Sequence, residues 1–286
     1  RPRRGARSWR AMAGGTGGLS LALLLHHLIR SCDIILLGWL AGPAQAGLFH
    51  TAQRLALAAE TPLHVLGRLT RPHLHRAAAG GGCAATLERM IRASAFWIVP
   101  VAAGGWLVAG PLLAAFFGEP FAAGAWTLRW LLLAALLSGL GSHFGNALFA
   151  RRRVGPYLRS LGLGMAANLG LSLCFIPLWG SAGTALATAL SLAAATGLAL
   201  GLLLREVAFD PFAPLLRPGL AALAPAGAAW AVPAWVGLPG RLLAGALGLV
   251  LALHLLELRG RWRSLGSGLE RGSGFGLPGR EGGRAR

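Results

Sequence analysis

The sequence of 286 residues predicts an all-α fold, a polytopic transmembrane bundle of about eight helices. Composition is the first ground. Hydrophobic residues make up 55% of the chain and charged residues 13%, against roughly 25% charged in an ordinary soluble domain, and mean hydropathy is +0.60. Run length is the second: the apolar stretches reach about 18 to 25 residues, enough to cross a ~30 Å hydrocarbon core at ~1.5 Å per residue. The third is punctuation, since Arg, Pro and Gly interrupt these runs at regular intervals. Together they exclude a secreted disulfide scaffold, a nucleic-acid binder and a soluble enzyme. Cys32, Cys83 and Cys174 stand far apart with no CxxC pair, which argues against a disulfide framework or a zinc site.

In chain order, the first predicted span is Leu19–Leu40, followed by Ala44–Leu66, Ser94–Phe117, Trp126–Ala150, Tyr157–Leu178, Ala182–Leu204, Gly219–Val236 and Leu242–Leu258. Short links around Gly42-Pro43, Gly118-Glu119-Pro120, Gly180 and Pro239-Gly240 join spans 1–2, 3–4, 5–6 and 7–8. Longer links bearing arginine join the others. This gives a basic flank over 1–18, a six-helix lobe over 19–204, two additional helices over 205–258 and a disordered tail over 259–286, rich in Gly, Arg and Ser. The stretch from His73 to Arg92 is expected to lie along the inner membrane surface.

Arginine placement sets the orientation. The formal charge of +18 comes from 27 basic residues, all Arg, against 9 acids. Twenty-three of those arginines fall on the flank, the alternate long loops and the tail. Loop arginines resist translocation, so that side and both chain ends are expected to be cytoplasmic. Trp39, Trp126, Trp179 and Trp235 fall where spans meet the short outer links, the headgroup level that amphipathic rings favour. Arginines dispersed in this way report topology and attraction to anionic lipid, not nucleic acid. Arg1 is the first residue and no signal peptide precedes the first span, so the chain is expected to be a fragment.

Polar residues inside the spans are the candidate site. A charge near the bilayer centre costs about 2.5–3.5 kcal/mol on insertion scales, so each one asks for a reason. His26, Arg30 and Asp33 stand at i, i+4 and i+7, on one face of span 1. Two readings fit them: an internal Arg30–Asp33 pair that pins packing, or a face lining a water-filled path. Span 2 carries His50, Gln53 and Arg54, read as one face, and then Glu60, two residues before Pro62, which can serve the site or cap a kink. Span 4 has Arg129 at its outer end, with His143 and Asn146 on one face further in. Arg129 can equally snorkel to the outer headgroups. The Gly141/Gly145 and Gly197/Gly201 pairs read as close-packing devices. His73-Leu74-His75 has no carboxylate or Cys beside it, so no metal is expected, and no cofactor. No Ser/His/Asp order, paired carboxylates or HExxH appears, so no catalytic centre is expected. Cationic side chains facing a membrane cavity suit an anion such as a pyrophosphate, which Arg binds bidentately.

These residues carry a family resemblance. The run Cys32-Asp33-Ile34-Ile35-Leu36-Leu37-Gly38, then Ala46-Gly47-Leu48-Phe49 and Gln53-Arg54-Leu55-Ala56, resembles a conserved stretch of the oligosaccharide flippases. So do Arg71-Pro72, Gly110-Pro111-Leu112-Leu113 with Phe117-Gly118-Glu119 and Leu128-Arg129, and Asn168 with the block from Ile176 to Thr188. The family is the polysaccharide-biosynthesis (Wzx-like) exporters of the MOP, or MATE-like, superfamily, and the likeness covers about Leu19 to Leu204. Phe49 and Gln53 stand where the family often has Tyr. The resemblance implies the C-terminal part of a 14-helix carrier in a bacterial inner membrane, with the N-terminal lobe missing. It implies flipping of undecaprenyl-pyrophosphate-linked oligosaccharide by alternating access. Its partners would be that lipid-linked oligosaccharide, membrane lipids, the missing lobe, and glycan polymerase or assembly proteins. Arg30, Arg54, Arg129, Gln53 and Asn146 would meet the substrate; Asp33, Glu60, His26 and His143 would couple transport to protons or sodium. The alternatives are a cation-coupled multidrug exporter of the same superfamily, or a polytopic membrane glycosyl- or acyltransferase.

Overall fold

The computed structural model describes the backbone of residues 5–211, 214 and 215, and the side chains of residues 24, 32–211, 214 and 215. The expected spans Gly219–Val236 and Leu242–Leu258, the tail over 259–286, Trp235, and the side chains of His26 and Arg30 lie outside the described residues. Within them the order is α1 (Gly5–Ala79), α2 (Cys83–Leu107), α3 (Ala109–Phe117), a 3₁₀ turn (Glu119–Gly124), α4 (Ala125–Ala150) and α5 (Val154–Leu204). Among the described residues no strand occurs, and four helices are long and apolar enough to cross a membrane. The protein is a multi-pass, all-α membrane protein.

Two of these helices are folded back on themselves. A straight α1 of 75 residues would run about 110 Å, over three times a hydrocarbon core. The break falls at Gly42, whose φ of 84° and ψ of 171° suit only glycine, just before Pro43. A Cβ built on Gly38 would lie 3.9 Å from that of Ala46, whereas eight residues of straight helix would separate them by about 12 Å. The chain therefore reverses at Gly42. Helix α5 does the same at Gly180, with φ 54° and ψ −127°. Ser191 reaches back to Asn168, and Gly164 sits against Ala195, so its two limbs run antiparallel. The predicted spans 1, 2, 5 and 6 are these four limbs.

Span 3 is α2 plus α3. Pro111 has no N–H to offer Leu107, and the helix loosens at Val108 on that account. The stretch from His73 to Arg92 differs from the surface segment expected: it is a helical hairpin, α1 running on to Ala79 and α2 starting at Cys83. Leu74, Leu87, Met90 and Ile91 along it are buried with Phe144, Leu148 and Leu203, and that apolar burial folds the hairpin onto the bundle. A second core, around Leu37, Phe49, Leu63, Ile98, Leu113 and Leu128, fills the other half.

Small residues set how closely the helices approach. A Cβ on Gly141 would come within 2.6 Å of the Thr196 hydroxyl, and one on Gly145 within 2.5 Å of the Tyr157 hydroxyl. That pair is the packing device the sequence suggested. Gly197 and Gly201 meet nothing within 4 Å among the described residues, so no close packing is seen at them. At the tip where both hairpins turn, Gln45 accepts a hydrogen bond from the Ser181 amide at 3.0 Å, and Thr127 donates to the Ser181 hydroxyl at 3.0 Å. Trp39, Trp126 and Trp179 are exposed near that tip, Trp39 to 92%, as an interfacial aromatic belt requires.

Candidate functional site

Asp33 lies on the first limb of α1, nine residues before the Gly42 turn, or about 13 Å below it. It is 2% exposed. Its Oδ1 accepts from Asn168 at 2.7 Å and its Oδ2 from the Thr188 hydroxyl at 2.8 Å, while Ser191 donates to the Asn168 carbonyl at 3.2 Å. One carboxylate thus ties span 1 to both limbs of α5. Asp33 itself is buried at this junction. The cause is the set of polar partners on α5, which the span 1 sequence does not display. Asn168 precedes the motif block and Thr188 closes it, and a lone polar residue in an apolar run was the signal that could have joined them to Asp33.

A second polar layer lies between the two apolar cores. Glu60 is fully buried and pairs with His64 Nε2 at 3.2 Å, one helical turn on. His143, also fully buried, shares a hydrogen bond of 2.5 Å with the Ser94 hydroxyl of α2. Deeper along α4, Asn146 accepts from Arg71 Nε at 3.0 Å. The sequence analysis did not place His64, Ser94 or Arg71 in the site. Spacing alone marks His64 as the partner of Glu60; nothing local marks the other two.

The remaining expected residues do not converge. Arg54 is exposed on the second limb of α1, in line with exposed His50. Gln53 is buried at 7% beside Phe49, Ala52 and Ala56. This corrects the shared face, because neighbours on a helix point about 100° apart and Gln53 turns inward as Arg54 turns outward. Arg129 is half-buried near the tip; its Nε donates to the Trp106 carbonyl at 3.0 Å and its guanidinium lies 4.6 Å from the Trp126 ring centroid. That is a cation–π anchorage, away from Arg54. No group of three or more His, Cys, Asp or Glu that could hold a metal occurs among the described residues.

Comparison with known proteins fits this arrangement. Residues 3–125 match a family model described as polysaccharide biosynthesis protein, a stretch that contains both limbs of α1, Asp33, Arg54 and Glu60. A solved structure titled "Lipid II flippase MurJ, inward closed conformation" superposes with a TM-score of 0.70 at 15% identity, over 85% of this chain and 52% of that one. At that identity the likeness is one of fold, and the chain spans about half the length of that structure. No curated protein matches the chain. The resemblance read from the motifs is thus supported by a family model over residues 3–125 and by the fold.

Proposed function

We propose that this chain is half of a carrier that flips a lipid-linked oligosaccharide, of the undecaprenyl-pyrophosphate class, across a bacterial inner membrane. Family and fold point to a transporter rather than a catalyst. The observation that carries the reading is Arg54. It lies twelve residues beyond the Gly42 turn, about 18 Å into a ~30 Å core, and it is exposed. A guanidinium at that depth cannot face acyl chains without a cost of about 2.5–3.5 kcal/mol or more. It therefore faces water, held in a cavity that another half of the carrier closes. A cationic wall at mid-membrane suits a pyrophosphate.

In this reading the two halves rock about the cavity and expose it to each side in turn. Arg54 holds the pyrophosphate, with Arg30 on the neighbouring limb of the same helix. Gln53, Asn146 and Arg129 support the wall from within the bundle. Asp33, Glu60, His143 and His26 take up a proton or sodium ion and link it to the rocking. The arginine-bearing ends of the helices face the cytoplasm.

The test is complementation of a bacterial strain lacking its oligosaccharide flippase. Arg54→Ala should abolish glycan export, at least ~100-fold, while the protein reaches the membrane in normal amount. Normal export by Arg54→Ala would overturn the assignment, and a drug-susceptibility phenotype in its place would favour an exporter of cationic drugs.

A further inference from the structure

At the end of the bundle opposite the Gly42 and Gly180 tips, an open cleft of about 740 Å³ is lined by His75, Arg151, Arg152, Arg153 and Glu206, with alanines between them. Three arginines face one carboxylate, a surplus of two positive charges. The arginines are not loosely spread. Glu206 takes Arg151 Nε on one oxygen at 3.2 Å and Arg153 Nε on the other at 2.5 Å, which fixes both guanidiniums at the rim. Arg152 is exposed and holds φ at +60°, a left-handed conformation that glycine would adopt more freely. The amides of Arg152 and Arg153 bond back to Phe149 and Leu148, and so hold the turn in shape. Helix α5 starts directly behind it at Val154, with no side chain capping its first amides.

A topology signal needs charge on this loop and nothing more. Fixed orientation, a strained arginine and a walled cleft go beyond that need. We infer that this cleft binds a phosphate-bearing anion, with Arg152 and Arg153 as its principal contacts and Glu206 occupying part of the site when the anion is absent. Two sources share that chemistry: the headgroup of an anionic phospholipid, and a soluble or substrate-borne diphosphate. Guanidinium forks recognise the phosphate in either case.

The experiment uses the full chain, purified in a neutral detergent and in phosphatidylcholine nanodiscs with and without phosphatidylglycerol. Inorganic pyrophosphate binding is measured by calorimetry, and the gain in thermal stability from phosphatidylglycerol by unfolding in the nanodiscs. Arg152→Ala and Arg153→Ala should each weaken at least one of these responses about tenfold, whereas Glu206→Gln, which frees two guanidiniums, should strengthen it. Arg76→Ala, a solvent-facing arginine outside the cleft lining, should change neither. A pyrophosphate response that falls in the cleft variants but not in Arg54→Ala identifies a diphosphate ligand of the cleft; a response to phosphatidylglycerol alone identifies a lipid headgroup. Equal losses in Arg76→Ala and Arg152→Ala, or no loss in either cleft variant, would overturn the inference. Because binding is read and not transport, the outcome is independent of what the carrier moves.

Discussion

At the scale of single residues, Asp33 shows what one buried carboxylate does inside an apolar bundle. It gives Asn168 and Thr188 an acceptor where lipid and leucine offer none. Thr188 also donates to the Thr184 carbonyl, so removal of Asp33 strands chiefly the Asn168 amide. Asp33→Ala should cost about 1–3 kcal/mol, the usual penalty for a buried group left unsatisfied. Asp33→Asn, which keeps a carbonyl acceptor, should cost less; thermal unfolding in detergent reads the difference. The residue scale is also where sequence reading reached least far. Asp33, Glu60 and Arg54 stand out as charges in apolar runs and were legible for that reason. Their partners were legible only where they were local, as with His64. Asn168 is 135 residues from Asp33, and Ser94 is 49 from His143, distances that only tertiary packing closes.

At the scale of elements, two glycines turn long helices into hairpins. Both hold positive φ, yet they differ in surroundings. A Cβ on Gly42 meets nothing within 4 Å, so Gly42→Ala should cost only the backbone strain, about 1–3 kcal/mol. A Cβ on Gly180 would come within 2.7 Å of Gln45 Oε1, the acceptor that holds Ser181. Gly180→Ala should therefore cost more than Gly42→Ala, as a larger fall in unfolding temperature. The reverse ranking would mean that the Gln45 contact is dispensable. Arg152 presents the opposite case, a left-handed residue that is not glycine. Arg152→Gly should stabilise the α4–α5 turn by about 0.5–1 kcal/mol while weakening anion binding in the cleft. The outer turns were legible, since Gly marks them and tryptophans flank them. The helical course of His73 to Arg92 was not, because Arg and Gly there read as a polar loop while its buried Leu74 and Leu87 meet partners far away in sequence.

At the scale of the whole molecule, the arginine count and the fold make one joint prediction. A cysteine at position 152 should react with an impermeant thiol reagent only from the cytoplasmic side, and one at position 44 only from the outside, in a background without Cys32, Cys83 and Cys174. Labelling from the opposite sides would invert the proposed orientation. The order of the described spans was legible because a bilayer imposes length and apolarity on every crossing. What lay beyond sequence was which polar groups turn inward, as the separation of Gln53 from Arg54 shows.

The contact of Gln45 with Ser181, and of Ser181 with Thr127, bears on motion. These bonds lash together three chain reversals that belong to different helices. Any movement of the bundle must then carry that end along as one piece, like the hub of a lever. If the proposed carrier reading holds, deformation falls to the opposite end, at the α1–α2 hairpin and the arginine turn.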